Sequence, residues 1–223
     1  MQSNIDVHAG LGTAEDEAYQ HIHAAIRTGR YRAGERLMPE AIALDIGTSR
    51  MPVREALRRL STEGLVTIRP NRGVTVIRLN VSDMQEVFEM RAVLEGLAVR
   101  LALPNMTEST IRLLEDIIDR IDDHSVIQPD WTSAHRLFHE TLCAASERPR
   151  LMRQIASLHS LVEPHMRVWV LQADRPPSAR ADHQDLIDAL RSGDPQRCEL
   201  AMREHVLDTV TDLVKVLPSA YDP

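Results

Sequence analysis

The stretch GTSRMPVREALRRLSTEGLV, residues 47–66, sets six arginine and glutamate side chains among regularly spaced aliphatic ones. Its aliphatic residues recur at i, i+3, i+4 and i+7, the spacing that gives an α-helix one apolar face: Val53, Ala56, Leu57 and Leu60. Gly47 ends the preceding segment, Ser49 stands at the position of an N-cap, and Pro52 falls in the first turn, where proline is tolerated. The stretch therefore predicts an amphipathic helix that begins near Ser49.

A stripe of like charge lies beside that apolar face. Arg50, Arg54 and Arg58 recur every four residues and therefore stack about one turn apart. The major groove of B-DNA admits one α-helix, and an arginine can bind guanine through two hydrogen bonds. We expect Arg50 and Arg54, near the helix N-terminus, to read bases, and Arg58 to contact phosphate. The alternative is a solvent-exposed face whose charges are offset by Glu55 and Glu63.

The flanking segments complete a DNA-binding unit. A first helix is predicted over residues 15–28, YRAGERL predicts a turn, and a short second helix follows Pro39. Downstream, LVTIRPNRGVTVIRL contains two β-rich runs joined by residues 70–73, which predicts a hairpin with a basic tip. Together these elements predict a winged helix-turn-helix in which Asn71 and Arg72 reach the minor groove or phosphates.

Charge divides the chain into two parts. The formal net charge is −7, but residues 1–80 hold 11 arginines against 9 acidic residues, whereas residues 81–223 hold 15 basic against 24 acidic residues. Such asymmetry predicts different partners for the two halves. We expect a flexible arm over residues 1–14, the winged helix-turn-helix over residues 15–79 and an all-helical domain over residues 80–218.

Composition restricts the class of protein further. Cys143 and Cys198 lack C-x-x-C spacing, which fits a reducing cytoplasm and argues against a disulfide scaffold or a four-thiolate zinc module. The chain begins without the apolar core of a signal peptide, and no run approaches the roughly 20 apolar residues that cross a bilayer. The sequence therefore predicts a cytoplasmic protein that has no membrane partner.

Beyond residue 80 the sequence predicts helices only, because apolar residues keep helical spacing between breaks that contain proline or glycine. Ser82 and Thr107 are the expected caps of the first two helices. Six helices are expected, at residues 82–103, 107–124, 130–146, 149–173, 179–192 and 195–216. The predicted fold class is mainly α, with an N-terminal winged helix-turn-helix and a C-terminal all-α six-helix bundle.

Three segments, AAIRTGRYRAGERL, DIGTSRMPVREALRRLSTEGLV and PNRGVTV, resemble the DNA-binding domain of the GntR superfamily of bacterial transcription regulators over residues 15–78. The resemblance implies a winged helix-turn-helix that binds double-stranded operator DNA. Ser49, Arg50 and Arg54 fall in family positions, and Arg58, Asn71 and Arg72, assigned above from the helix and the wing, complete the expected DNA-contacting residues. Ala33 replaces the usual proline of the family. Glu40 lies where some members carry a DNA-contacting arginine, so that contact is expected to be absent.

Four of the ten histidines lie on apolar helix faces. His135 and His139 are one turn apart in WTSAHRLFHETL. His183 shares a face with aliphatic residues of ADHQDLIDAL, and His205 does so in CELAMREHVLDTV. Imidazoles from three helices are therefore expected to meet in one bundle core. Four further histidines lack such a pattern and are expected at the surface: His8, His21, His23 and His124.

A single buried histidine is usually a hydrogen-bonded core residue, but several together are costly to bury unless something organises them. Neutral imidazole is the commonest metal ligand in proteins. We therefore expect a divalent metal ion bound by His139, His183 and His205, with His135 as a further candidate ligand. Zinc is the preferred choice, with Ni, Mn or Fe as alternatives, because ligand type alone does not separate these ions.

Arg91 also faces inward, because it lies four residues after Val87 and three before Leu94 on an apolar helix face. Two roles for its side chain stay open. The guanidinium either pairs with Glu95 or another acid within the core, or it grips the carboxylate of an anionic effector beside the metal.

Four later segments, FEMRAVLEGLAVRLA, AHRLFHETL, DHQDLIDALRSGD and MREHV, resemble the C-terminal ligand-binding domain, the FCD domain, of the FadR branch of GntR regulators over residues 82–216. Members of that branch commonly hold a metal with an Asp-x-x-x-His pair and two later histidines, and the metal helps to bind a small carboxylic acid. His139, His183 and His205 match the three histidines, whereas His135 replaces the aspartate. A neutral ligand in place of an anionic one leaves more positive charge on the metal, so an anionic effector is expected.

The sequence therefore predicts a metabolite-responsive transcription regulator and not an enzyme. A homodimer is expected, because one recognition helix reads too few base pairs for useful specificity. One alternative is a metalloenzyme with an accessory DNA-binding domain, although HRLFH lacks the glutamate that a zincin uses as general base. The other is a regulator whose metal is purely structural.

Overall fold

This computed structural model describes residues 12–122, 131–172 and 179–220 of the chain. The chain forms two compact units that divide between Arg78 and Leu79. Most of the arm expected over residues 1–14 lies outside the described residues, so its predicted flexibility stays a prediction.

Three helices build the first unit: α1 (Ala14–Arg27), α2 (Pro39–Ile46) and α3 (Arg50–Thr62). Thr13 and Asp16 form a capping box at the start of α1, and α2 ends at Gly47, whose φ of 75° is left-handed. The predicted apolar face of α3 is buried, with Val53, Ala56, Leu57 and Leu60 at most 1% exposed. Burial of these aliphatic side chains against α1 and α2 fixes the rotation of α3 about its axis.

A three-stranded antiparallel sheet completes the first unit, with β1 (Arg36–Leu37), β2 (Val66–Arg69) and β3 (Gly73–Val76) in the order β1-β3-β2. The β2–β3 hairpin is the predicted wing, and the winged helix-turn-helix is confirmed. The prediction of a turn alone for YRAGERL was incomplete, because its last residues form β1 and pair with Val74 and Thr75 of β3. A two-residue strand shows no alternation in sequence and forms only because β3 offers a free edge.

Six helices form the second unit in the described part of the chain: α4 (Val81–Ala102), α5 (Glu108–Asp122), α6 (Trp131–Ala144), α7 (Pro149–Gln172), α8 (Ala179–Ser192) and α9 (Pro195–Ala220). A short 3-10 turn, Leu103–Asn105, follows α4. The predicted all-α bundle is therefore confirmed. In the ranges that the structure describes, no helix combines the length and the apolar character needed to cross a membrane.

Helix α4 lies at the centre of this bundle and packs against α6, α7 and α9. Helix α9 lies close to Gly96, where an added Cβ would lie 2.7 Å from Cγ of Arg203 and 3.1 Å from the carbonyl oxygen of Glu199. Glycine is therefore required there for the two helices to approach each other. Helix α4 is thereby packed against α6 and α9, which carry three of the four predicted histidine ligands.

The cap of α4 is Asn80 and not Ser82, which corrects the sequence prediction. Asn80 Oδ1 accepts a hydrogen bond from the Asp83 N–H at 2.9 Å, and Asp83 Oδ2 accepts one from the Asn80 N–H at 3.0 Å. This reciprocal pair satisfies two backbone donors, whereas a cap at Ser82 would start the helix two residues later. Thr107 behaves as predicted, because its hydroxyl accepts a hydrogen bond from the Thr110 N–H at 3.2 Å.

Asn80→Ala is expected to lower the free energy of unfolding by about 1 kcal/mol, within a range of roughly 0.5–2 kcal/mol, because it removes one half of the capping box. Urea denaturation followed by circular dichroism measures the change. Ser82→Ala is the matched control and should stay within about 0.5 kcal/mol of wild type. A larger loss from Ser82→Ala than from Asn80→Ala would contradict this assignment of the cap.

Candidate functional site

The arginine stripe of α3 lies on the solvent side of the first unit. Arg50, Arg54 and Arg58 are all exposed, whereas the apolar face of the same helix is buried. Guanidinium groups on this face are accessible to a polyanion.

The three arginines differ in their ion-pair partners. Arg58 pairs with Glu55 at 2.6 Å, and Arg50 Nη1 lies 3.5 Å from Glu40 Oε1, a looser contact. Among the described residues, Arg54 makes no ion pair or hydrogen bond through its side chain. The expected alternative of an ion-paired face therefore fits Arg58 best and Arg54 least.

The wing adjoins this helix. Two grooves of about 270 Å³ each run between α3 and the sheet. One is bordered by Arg50, Arg54, Glu40 and Gly73, and the other by Arg54, Arg58 and Gly73 among others. Arg54 and Gly73, the first residue of β3, therefore border both grooves.

The wing tip is exposed at Asn71 and Arg72. Asn71 adopts a φ of 60°, and the Arg72 N–H donates to the Arg69 carbonyl at 3.0 Å, so a tight turn holds the tip. Ser49 occupies the N-cap position of α3, but its side chain makes no capping hydrogen bond. Its exposed hydroxyl, together with the free N–H groups of the first turn, can donate hydrogen bonds to a phosphate.

The second unit brings the four candidate histidines together. His135 and His139 come from α6, His183 from α8 and His205 from α9. One ring nitrogen from each of the four lies within 4.8 Å of the corresponding nitrogens of the others. His139 and His183 are at most 1% exposed, and His135 is 7% exposed.

The spacing of these nitrogens suits a metal ion. The Nε2 atoms of His139 and His205 are 3.3 Å apart, and four nitrogens bound tetrahedrally at roughly 2.0–2.1 Å lie about 3.3–3.4 Å from one another. Two aromatic rings contact the cluster: Trp131 stacks on His135 with the ring centroids 4.7 Å apart, and Phe138 packs edge-on against His183 with the centroids 4.6 Å apart. The donor set therefore fits a divalent cation after small side-chain shifts.

Burial favours the neutral form of His135. Desolvation holds the pKa of His135 well below its usual range, and the neighbouring rings of His139, His183 and His205 lower it further. Neutral imidazole has the lone pair that a metal ligand needs.

A carboxylate that the sequence interpretation did not assign to the site lies behind His139. Glu95 of α4 is fully buried, with Oε2 2.7 Å from His139 Nδ1 and Oε1 3.0 Å from Nε2 of His159 in α7. Arg91 Nε donates to Glu95 Oε1 at 2.8 Å. Burial opposes the charge of Glu95, but the Arg91 guanidinium, His159 and His139 hold its pKa well below the usual range. Burial and then Arg91 lower the pKa of His159 to about 4.

The sequence holds signals for three of these residues. Arg91 and Glu95 have the i, i+4 spacing of a helical ion pair, which was one of the two roles expected for Arg91. His159 shares a helical face with Val162 and Met166, both buried. Nothing in the local pattern says that His159 and Glu95 meet, because they are far apart in the chain.

The remaining histidines are placed as follows. His165 of α7 is buried and accepts a hydrogen bond from the Leu79 N–H at 3.2 Å, which the sequence did not indicate. His21 and His23 are partly exposed, and His21 lies 3.1 Å from Asp45. His8 and His124 lie outside the described residues.

Two spaces adjoin the histidine cluster. A cavity of about 20 Å³, bordered by Arg91, His135 and His159, has room for about one water molecule. A groove of about 580 Å³ reaches His205 from the other side. Acidic side chains dominate the charge of that groove, namely Asp185, Glu204, Asp208 and Asp212, against Arg197. The guanidinium therefore faces the small cavity, and an anion would meet repulsion in the large groove.

Comparison with known families covers both units. The family described as "Bacterial regulatory proteins, gntR family" matches residues 14–76, and the FCD domain matches residues 86–208. The two matches fall on the winged helix-turn-helix and on the helical bundle.

Similar proteins are transcription regulators. The Nta operon transcriptional regulator of Aminobacter aminovorans is 30% identical over 161 residues, which cover 65% of this chain and 77% of that protein. A probable D-xylose utilization operon transcriptional repressor of Paenarthrobacter nicotinovorans is 29% identical over 201 residues, covering 87% and 86%. Among solved structures, E. coli McbR/YncC aligns with a TM-score of 0.78 at 22% identity, covering 95% of this chain and 100% of that one, which shows a shared fold.

The DNA for this test is a duplex that the wild-type protein selects from a random-sequence library. Arg54→Ala is expected to weaken binding to this duplex by about 1–3 kcal/mol, because a base-reading guanidinium is lost. Arg72→Ala should weaken binding less and by similar amounts on selected and scrambled duplexes. Fluorescence anisotropy at one fixed salt concentration measures both. Equal binding by Arg54→Ala and wild type would contradict the assignment of α3 as the helix that reads DNA bases.

Glu40→Gln is expected to raise DNA affinity a few-fold at low salt, because it removes a carboxylate 3.5 Å from Arg50. The slope of log affinity against log salt should steepen by up to about one. Glu17→Gln makes the same charge change on the exposed side of α1 and is the matched control. An equal gain from both variants would mean that net charge, and not the Glu40–Arg50 contact, sets the affinity.

Proposed function

The chain belongs to the GntR family of bacterial transcription regulators and carries an FCD domain, and we propose that this domain holds a divalent metal that helps to bind a small carboxylate effector. Its relatives are regulators and not enzymes, so the metalloenzyme alternative is set aside. A purely structural metal is the remaining competitor.

The meeting of four imidazoles carries the metal proposal. Their ring nitrogens lie within 4.8 Å of one another, and burial lowers the pKa of His135, which favours the neutral ring that binds metals. His135, His139, His183 and His205 are the proposed ligands. Zinc is the first choice for such a nitrogen set, and Ni, Mn or Fe stay as alternatives.

Charge favours an anionic effector. Four neutral ligands leave the full charge of a divalent cation in the core, and Arg91 and Glu95 cancel each other. Arg91 still has donors to offer, because among the described residues its Nη1 makes no hydrogen bond. A carboxylate beside Arg91 and His135 would therefore bind both the metal and a guanidinium.

Effector binding must move the bundle. The cavity beside Arg91 measures about 20 Å³, which holds about one water molecule and is too small for a carboxylic acid. Effector entry therefore requires α6 and α7, which border the cavity, to separate from α4. A ligand that selects an opened bundle can shift the population of DNA-binding forms.

The DNA-binding form is proposed to be a homodimer. Two recognition helices on two half-sites provide the specificity that one helix lacks. By analogy with relatives named for the D-xylose utilization operon and the Nta operon, control of an operon by this protein is proposed.

The test measures anisotropy of a selected duplex with native protein, with chelator-treated protein, and with a panel of small mono-, di- and tricarboxylic acids. The proposal expects at least one acid to change DNA affinity several-fold, and expects that response to vanish after chelation. A protein that unfolds on chelation and responds to no acid would favour a structural metal.

His183→Ala is expected to lower the metal content of purified protein from about one ion per chain, because one of four nitrogen ligands is lost. Elemental analysis after dialysis against metal-free buffer measures this. His21→Ala removes a partly exposed histidine from the other unit and should leave the content unchanged. Full occupancy in His183→Ala would contradict the proposed site.

A further inference from the structure

We propose that Glu95 is the positioning residue of this metal centre: it holds His139 in the one tautomer and orientation that present Nε2 to the ion. The inference rests on the proposed metal site and adds a residue that is not itself a ligand. It follows from hydrogen-bond geometry on the side of His139 that faces away from the other three histidines.

The tautomer of His139 follows from its two neighbours. A carboxylate can only accept, so the Glu95 Oε2 contact of 2.7 Å requires that His139 Nδ1 donate its proton. A neutral imidazole has one N–H, so the lone pair must be on Nε2. That Nε2 lies 3.3 Å from Nε2 of His205, inside the histidine cluster.

Glu95 is itself held in place from the other side. Its second oxygen, Oε1, accepts from Arg91 Nε at 2.8 Å and lies 3.0 Å from His159 Nε2. His159 Nε2 also lies 3.3 Å from Arg91, which can only donate. Because the contact with the carboxylate is the shorter, His159 Nε2 carries the proton and donates to Glu95. Three donors therefore fix the two oxygens of a side chain that has no exposure to solvent.

The same contacts argue against Glu95 as a ligand in a second metal site. Glu95, His139 and His159 also have donor atoms within 4.8 Å of one another. A cation among them would lie beside the Arg91 guanidinium and would compete with it for Oε1. The group of four histidines is therefore the proposed ion site, and Glu95 with His139 and His159 forms a hydrogen-bond network. The two groups share His139.

Such a carboxylate, hydrogen-bonded to the far nitrogen of a ligating histidine, raises the basicity of the ligand and removes its rotational freedom. Loss of a partner of this kind typically costs about 10–100-fold in metal affinity.

The test uses a charge-balanced variant, Arg91→Met combined with Glu95→Leu, so that neither charge is left buried alone. Long-range ¹⁵N–¹H NMR of the metal-free protein reports which nitrogen of His139 is protonated, and titration with Co²⁺ reports affinity and the visible ligand-field spectrum. The proposal expects Nδ1–H in wild type, a mixture of tautomers in the variant, and Co²⁺ affinity lower by about 10–100-fold with an altered spectrum.

Two further variants keep the result interpretable. Arg91→Met with Glu95→Gln restores an oxygen acceptor for Nδ1–H and should recover much of the affinity. Arg100→Gln with Glu199→Gln removes an ion pair of 2.7 Å between α4 and α9 and should change neither the tautomer nor the affinity. Circular dichroism checks that each variant retains its helices.

The outcomes separate the two proposals. An Nε2–H tautomer of His139 in wild type, or unchanged Co²⁺ affinity and spectrum in a folded Arg91→Met/Glu95→Leu variant, would overturn the role of Glu95. If the Arg91→Met/Glu95→Leu variant does not fold, the wild-type tautomer and the Glu95→Gln combination decide the matter. Wild-type protein that shows Nδ1–H but binds no Co²⁺ would contradict the metal site itself.

Discussion

The crowding of four imidazoles in the core of the helical unit is the constraint on which the rest of this account depends. Burial and the neighbouring imidazoles lower the pKa of His135, which favours the neutral form of its ring. In the proposed arrangement His139 Nδ1–H donates a hydrogen bond to Glu95 on the outer side, so the lone pair of His139 is on Nε2, 3.3 Å from Nε2 of His205. At that distance the two nitrogens can share one hydrogen bond in the metal-free protein, whereas a bound cation would accept a lone pair from each.

Charge balance links the metal to the kind of effector. Because Arg91 and Glu95 neutralise each other and the proposed ligands carry no charge, a divalent ion would leave the core with an excess of positive charge. An anionic effector, as proposed, would supply the compensation. The acidic groove that His205 borders would disfavour the approach of an anion from there.

Helical periodicity carried most of the information that the sequence held. It predicted the helices of both units and placed His135, His139, His183 and His205 on inward faces, because side chains at helical spacing share a face whatever they pack against. The contact between Glu95 and His159 depends on how α4 and α7 pack, and no local pattern encodes that. The capping residue of α4 was missed because Asn80 and Ser82 both suit a cap, and only the reciprocal bond with Asp83 decides between them.

The same contrast holds in the DNA-binding unit. The helical spacing predicted the stripe of Arg50, Arg54 and Arg58. It does not predict the ion-pair partner of each arginine, because that depends on where neighbouring acidic side chains lie. Glu40 comes from α2 and reaches Arg50 across the helix-turn-helix, which leaves Arg54 as the arginine of the stripe without an ion-pair partner among the described residues. Strand β1 escaped prediction for a related reason, since it exists only by pairing with β3.

The coordination of the bound ion tests the central claim most directly. X-ray absorption at the zinc edge of Zn²⁺-loaded full-length protein should show a shell of three or four nitrogens at roughly 2.0–2.1 Å with the outer-shell scattering of imidazole rings. A shell dominated by oxygen without imidazole scattering, or one containing sulfur, would contradict the assignment of the histidine cluster as the metal centre.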